Sequence, residues 1–169
     1  MKAEELRSIQ KPLKEKYRNE PGVALVTLKA RGIVGEGISC RVETGKAIRE
    51  AGLHPATGGS GMLACSGDLL LEALVACAGV TLSAVATALE IELKQGMVKA
   101  EGDLDFRGTL GVSRDVPVGF KAIRLYFDIE SDASGAQLDS LLKLTERYCV
   151  VYQSLKNSID TRVILNPSA

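Results

Sequence analysis

Residues 66–92 read SGDLLLEALVACAGVTLSAVATALEIE, and this stretch decides the fold. Seventeen uncharged residues, 73–89, lie between Glu72 and Glu90, a pattern that predicts one long helix over residues 68–92. A run of seventeen is at the short limit for a membrane span, and its flanks are acidic without a basic anchor. We therefore expect a buried central helix that other elements cover nearly all round, because it is apolar nearly all round.

Two stretches after this helix alternate apolar and polar residues with the period of a half-buried strand. They are residues 98–106 and 123–129, and we expect them to pair antiparallel around a turn at residues 108–117. The capping-box pattern of Ser134 and Gln137 then predicts a helix start.

The C-terminal helix after Ser134 carries Cys149 on its inward face, according to the helical spacing of its apolar residues. A second short helical stretch is predicted over residues 150–157, and a final strand over residues 161–165. On the other side of the central helix, residues 23–43 predict a hairpin that turns near residues 30–32.

A further short strand is predicted around residues 46–50, followed by a loop rich in Gly, Ser, Pro and Ala over residues 52–67. Strands thus precede and follow the central helix without alternation of strand and helix. This order favours an α+β fold with antiparallel sheets.

The chain's 169 residues, 46% of them hydrophobic and 25% charged, are enough for one compact domain. We assign it to residues 21–169, after a helical extension over residues 1–20 that Pro12 interrupts. Lys+Arg and Asp+Glu both count 21, and without a basic excess neither nucleic acid nor a membrane is an expected partner. The charged N-terminus lacks the apolar core of a signal peptide, which predicts a cytoplasmic protein with reduced cysteines.

The four cysteines are the candidates for chemistry in a reducing compartment. Cys77 lies midway along the apolar helix and Cys149 on an inward face, so both could reach one buried site, and the alternative for each is plain apolar packing. Burial raises the pKa of a thiol, so a reactive Cys77 needs a nearby cation. Arginine suits this role because it stays charged when desolvated. Spacing leaves the candidates Arg31, Arg41, Arg49 and Arg147 open.

The sequence predicts no metal site and no bound cofactor. His54 is the only histidine, and the cysteines are scattered without the paired spacing of a zinc site. His54 lies in the stretch Gly-Leu-His-Pro, where we expect a surface role.

Two cysteine motifs resemble those of the OsmC/Ohr family, the osmotically induced and organic hydroperoxide resistance proteins. The run SGDLLLEALVAC of residues 66–77, followed by Thr81-Leu82, is similar to the family's acid-Leu-Leu-Leu-x-x-Leu-x-x-Cys helix. The run ERYCVVYQSL of residues 146–155, followed by TRVIL of residues 161–165, is similar to its Cys-Pro-Val helix and closing strand. Gly58-Gly59 also fits the family's loop, and the resemblance covers roughly residues 22–166.

The resemblance implies a cytoplasmic antioxidant enzyme, a thiol peroxidase that reduces organic hydroperoxides in a stress response. It implies antiparallel sheets wrapped around the central helix, and an intertwined homodimer with active sites at the interface. Cys77 would be the peroxidatic thiolate and Cys149 the resolving thiol. Arg41, ranked above Arg31, would activate Cys77, and an external dithiol such as dihydrolipoamide or a lipoylated protein would reset the pair.

The sequence departs from the family pattern at two positions. Asp68 stands where the family usually has glutamate, and on an ideal helix it lies about 13 Å along the axis from Cys77, on the opposite face. Any role of this acid must therefore be indirect, through an arginine or across a dimer. Val150 replaces the family's proline and removes a preset helix start.

These departures keep two alternatives open. One is a binding or structural protein of the same fold with little peroxidase activity, and the other is a hot-dog thioesterase. Cys40 and Cys65 are either alternative resolving thiols or bystanders.

Overall fold

The structure, a computed structural model, describes residues 2–5, 8, 11, 19, 31–35, 39–43, 48–111 and 114–163. Side chains are described at residues 2–5, 8, 11 and 19 and from residue 50 onward, except at Arg107. Within the N-terminal extension, residues 3–5, 8, 11 and 19 have helical backbone. Pro12 lies outside the described residues, so the interruption there stays a prediction.

The first sheet contains four strands in the order β1-β2-β3-β4. Their bounds are Arg31–Gly35 for β1, Ser39–Glu43 for β2, Ile48–Gly52 for β3 and Ala64–Cys65 for β4. β1, β2 and β3 pair antiparallel, which agrees with the expected antiparallel sheet. The first strand of the predicted hairpin, residues 23–30, lies outside the described residues. β3 and β4 pair in parallel, which the sequence did not indicate.

The hairpin turn predicted near residues 30–32 is wrong. Arg31 and Gly32 belong to β1, and the connection to β2 lies between Gly35 and Ser39. The Arg31-Gly32 pair indicates a turn by composition, but the pairing register places both residues inside a strand, opposite Glu43 and Val42. The short strand expected at residues 46–50 is found as β3.

The predicted loop before the central helix contains a 3-10 turn, Pro55–Thr57, as well as β4. Gly58 ends this turn with φ +91°, a left-handed conformation that favours glycine. A Cβ atom at Gly59 would lie 1.7 Å from the Leu53 carbonyl oxygen. Both glycines are therefore required by the backbone of this loop.

The central helix, α1, spans Ser66–Ala88. It begins two residues earlier than predicted, with Cys65 as its N-cap residue, and Ser66 is already helical. Asp68 lies in the first turn, where the helix dipole favours an acidic side chain. The helix ends before residue 92 because Glu90 adopts a left-handed φ of 58° and reverses the chain.

One stripe of α1 is buried within the described chain, with a spacing of four residues. It consists of Leu74, Ala78, Leu82 and Ala86. Val80 on the other side is 72% exposed, so the described residues do not cover α1 nearly all round as we expected. By length and composition alone α1 would also pass as a membrane span, a test that core helices pass too.

The second sheet is the predicted antiparallel pair, β5 (Gln95–Leu104) and β6 (Phe120–Glu130). The connection contains a short helix, α2 (Phe106–Thr109), so β5 ends at Leu104. On the outer face, Arg124 donates hydrogen bonds to Asp103 at 2.8 Å and to Glu101 at 3.3 Å. The inner face packs its apolar residues on α1.

Two helices complete the described chain, α3 (Gly135–Tyr148) and α4 (Val150–Lys156). The predicted capping box is confirmed, since the Gln137 amide N–H donates to the Ser134 hydroxyl and the Ser134 amide N–H donates to the Gln137 side chain. The strand predicted over residues 161–165 is absent from the described residues 161–163.

Candidate active site

Cys77 and Cys149 meet where α1 passes the junction between α3 and α4. Cys77 lies in the middle of α1, and Cys149 is both the C-cap residue of α3 and the N-cap residue of α4. The two side chains pack in one cluster with Leu74 and Ala78, and their thiols interact directly. Cys149 is 1% exposed, so the prediction that it points inward is confirmed.

The surroundings of Cys77 favour its thiolate. Burial raises the pKa of Cys77, but hydrogen bonds from the Val151 amide, the Cys149 thiol and the Val150 amide outweigh this effect. The net result is a Cys77 pKa below its ordinary value of 9.0. The Thr81 hydroxyl adds a smaller contribution in the same direction, so Cys77 is the better nucleophile of the pair.

The surroundings of Cys149 shift its pKa in the opposite direction. Burial raises its pKa, the Tyr152 amide acts against this, and the neighbouring Cys77 raises the pKa further, so that it lies above 9.0. When two neighbouring thiols have different pKa values, one can be a thiolate while the other stays protonated. This is the protonation state that an attacking thiolate and a resolving thiol require.

No arginine or lysine is among the described groups that shift the pKa of Cys77. Arg147 lies with its guanidinium 5.6 Å from the centre of the Tyr148 ring. The backbone of Arg41 is in β2, paired with Ile33 and Glu50, but its side chain lies outside the described residues. The same holds for the side chains of Arg31 and Arg49.

Asp68 and Cys65 belong to a different place, at the start of α1. Together with His54 they line a cavity of about 330 Å³, which we call the α1-start cavity. His54 stacks on Phe106 with 4.8 Å between ring centres, and its Nδ1 accepts the Ala56 amide N–H at 3.0 Å. The structure therefore does not bring Asp68 to Cys77 within one chain.

Cys65 cannot reach Cys77 of the same chain. The two are separated by α1 from its N-cap residue to its middle, about 18 Å at 1.5 Å per residue. Within the described chain Cys149 is thus the thiol that can pair with Cys77. The side chain of Cys40 lies outside the described residues.

A cavity of about 400 Å³ opens beside Cys149, between α3 and β6, and we call it the α3–β6 cavity. Its walls are formed by Ile123, Leu125 and Phe127 on one side and by Leu142, Thr145 and Cys149 on the other. Tyr152 closes one end, where its hydroxyl donates to Glu146 at 3.1 Å. Cys77 is not among the lining residues.

Sequence reasoning missed the amides of Val150 and Val151 as parts of the site. The signal was present, because a residue other than proline after Cys149 restores an N–H group at the start of α4. Among the described residues, no group of three or more His, Cys, Asp or Glu side chains is placed to hold a metal ion.

Comparison with known proteins supports the fold. The most similar structures include an OsmC like protein from Mycoplasma pneumoniae, with TM-score 0.67 and 17% identity over 78% of this chain and 88% of that one. An organic hydroperoxide resistance protein from Elizabethkingia anophelis has TM-score 0.64 and 17% identity over 80% and 92%. The organic hydroperoxide resistance protein OsmC from Legionella pneumophila has TM-score 0.62 and 18% identity over 80% and 93%.

None of the curated proteins compared with this sequence matches it significantly. Residues 58–164, more than half of the chain, match the family described as OsmC-like protein. This region contains both cysteines of the pair and the helices that position them. The chain therefore belongs to the OsmC-like family.

Proposed function

We propose that this protein is a thiol peroxidase that reduces organic hydroperoxides, with Cys77 as the attacking thiolate and Cys149 as the resolving thiol. The observation that carries the proposal is the direct contact between a thiol of lowered pKa and a buried thiol of raised pKa. Membership of a family whose structural neighbours include organic hydroperoxide resistance proteins supports the choice of substrate.

The reaction has two steps before the enzyme is reset. The Cys77 thiolate attacks the terminal oxygen of ROOH, the O–O bond breaks, and a proton accompanies the departing alkoxide to give ROH and a Cys77 sulfenic acid. Cys149 then attacks the Cys77 sulfur, water leaves, and a Cys77–Cys149 disulfide forms. An external dithiol, which dihydrolipoamide or a lipoylated protein would supply, reduces this disulfide and is itself oxidised.

A homodimer is part of the proposal. Val80 is 72% exposed and the neighbouring small residues Ala76 and Ala84 are exposed too, so the described residues leave this apolar side of α1 uncovered. Asp68 would then act on Cys77 from a second copy, since it lies at the start of α1 in the described chain, and Arg41 remains the proposed activating cation. Sedimentation of a folded, active monomer would contradict this arrangement.

The function is tested by intact-mass analysis and peptide mapping of the reduced protein after one equivalent of cumene hydroperoxide or hydrogen peroxide. We expect a loss of two hydrogens, mapped to Cys77 and Cys149, that is faster with the organic peroxide. Unreacted thiols or slow, scattered oxidation would instead support a binding or structural protein of the same fold.

A thioesterase is distinguished by a separate assay. Hydrolysis of acyl-CoA by a variant in which both Cys77 and Cys149 are changed to serine would support a hot-dog thioesterase. If the protein is a peroxidase, that variant should turn over neither hydroperoxides nor acyl-CoA, because the peroxidase reaction needs the Cys77 sulfur.

A further inference from the structure

The two cysteines of the candidate pair differ in their contact with the α3–β6 cavity. Cys149 is 1% exposed, so a molecule in solution reaches it only through a cavity that touches it. The α3–β6 cavity does so, and Cys77 is not among its lining residues. Cys77 is more exposed than Cys149 but lies outside this cavity, so a reagent that enters the cavity meets Cys149 and not Cys77.

We propose that the dithiol that resets the enzyme enters the α3–β6 cavity and attacks Sγ of Cys149, with Cys77 as the departing group. The proposal rests on the proposed function, which supplies the Cys77–Cys149 disulfide. The first thiolate of the dithiol forms a bond to Cys149 Sγ, the Cys77–Cys149 bond breaks, and Cys77 leaves as a thiolate. The second thiol then attacks the sulfur of its own molecule, which releases Cys149 and gives the cyclic disulfide of the reductant.

The leaving group supports the same direction of attack. Thiol–disulfide exchange is faster when the departing thiol has the lower pKa. Attack on Cys149 expels Cys77, whose thiolate keeps the amide N–H groups of Val151 and Val150 as donors that lower its pKa. Attack on Cys77 would expel Cys149, whose pKa is raised by burial.

The walls of the cavity indicate the kind of dithiol. Its floor is formed by the apolar side chains of β6, and the charged residues Asp139, Lys143 and Glu146 are also among its lining residues. Two acidic groups and one basic group provide no excess of positive charge for an anionic thiol. An uncharged dithiol with a hydrocarbon chain fits these walls better than a charged peptide thiol such as glutathione.

The position of attack is measured by trapping the first intermediate. The disulfide is formed with diamide, so the experiment does not depend on peroxide turnover, and it is mixed with excess N-acetylcysteamine and quenched with N-ethylmaleimide at increasing times. When the adduct amounts are extrapolated to zero time, we expect N-acetylcysteamine on Cys149 and N-ethylmaleimide on Cys77. The reverse assignment, or the absence of a Cys77–Cys149 disulfide after diamide, would overturn the proposal.

The cavity itself is tested with a matched pair of tryptophan variants on α3. Leu142→Trp narrows the cavity at a residue that is 37% exposed and should slow reduction of the preformed disulfide by dihydrolipoamide roughly tenfold. Ser140→Trp lies on the same helix outside the cavity lining and should leave the rate unchanged. Equal rates in Leu142→Trp and the parent protein would contradict entry through this cavity.

The two proposals fail in different ways. If diamide forms the disulfide and the adduct is on Cys149, but cumene hydroperoxide leaves both thiols intact, the peroxidase is wrong while the direction of attack stands. If the peroxide forms the disulfide but the adduct is on Cys77, the peroxidase stands and the entry through the α3–β6 cavity is wrong.

Discussion

Cys65 and Cys77 lie on the same helix, but their surroundings differ in what reaches the sulfur. Cys65 is the N-cap residue of α1 and lines the α1-start cavity with His54 and Asp68. Cys77, in the middle of the helix, receives hydrogen bonds from the start of α4 and from Cys149. A third element thus packs on α1 at Cys77 and brings both donors and a second thiol.

The comparison teaches that position on a helix is not enough to make a cysteine reactive. A helix N-terminus is a place where thiolates are often stabilised, and a simple reading would choose Cys65. In this chain the second thiol comes from the α3–α4 junction and is beside Cys77. Chemistry that needs two sulfurs is therefore expected at Cys77 and not at Cys65.

The largest effect is expected from removal of the attacking sulfur. Cys77→Ser should abolish hydroperoxide turnover, because an alcohol at this position is a far weaker nucleophile than a thiolate. Cys65→Ser, the matched control on the same helix, should retain the parent activity, and both variants should show the parent circular dichroism spectrum. Activity is measured as consumption of cumene hydroperoxide. Full activity in Cys77→Ser would contradict the assignment of Cys77 as the reactive cysteine.

An intermediate effect is expected from removal of the resolving sulfur. Cys149→Ser should permit one oxidation of Cys77 to a sulfenic acid and then stop, because no other thiol whose side chain the structure describes lies within reach. Dimedone labelling with mass analysis should find the adduct on Cys77. A disulfide between Cys77 and Cys65 in this variant would show that Cys65 of a second copy reaches the site.

The smallest effect is expected from removal of one amide donor. Val150→Pro deletes the N–H group that favours the Cys77 thiolate, so the pKa of Cys77 should rise and the thiolate should form at higher pH than in the parent. Alkylation of Cys77 by iodoacetamide at pH 7 should slow by roughly threefold to tenfold, since one hydrogen bond to a charged group is lost. The midpoint of the pH–rate profile gives the pKa of Cys77, and we expect this midpoint at higher pH in Val150→Pro than in the parent protein.

Val150→Ala is the control for this experiment, because it keeps the N–H group and changes only a side chain that is 70% exposed. Proline is structurally tolerable at this position. Val150 is the first residue of α4, where a helix accepts proline, and Cys149 before it is extended with ψ 105°. A parent-like profile in Val150→Pro would show that the amide does not act on Cys77.

The elements that the sequence predicted best are those with a strong local signal. The two alternating strands and the capping box at Ser134 follow from periodicity and side-chain chemistry within a few residues, and both are found. The prediction of the hairpin turn was wrong because the turn preference of Gly32 is local, whereas strand pairing places Gly32 opposite Val42. The strand over residues 161–165 was predicted from the sequence, and no strand is found over 161–163.

By itself the sequence determined the long apolar helix, the antiparallel β5–β6 pair, the inward position of Cys149 and the family. Each of these depends on residues close together in the chain or on a motif with fixed spacing. Only the tertiary structure decided which thiol meets Cys77, that Val150 and Val151 donate to it, and that Asp68 and Cys65 belong to another cavity. Those facts depend on contacts between elements about seventy residues apart, whose relative position is set by packing across the whole core and not by local preference.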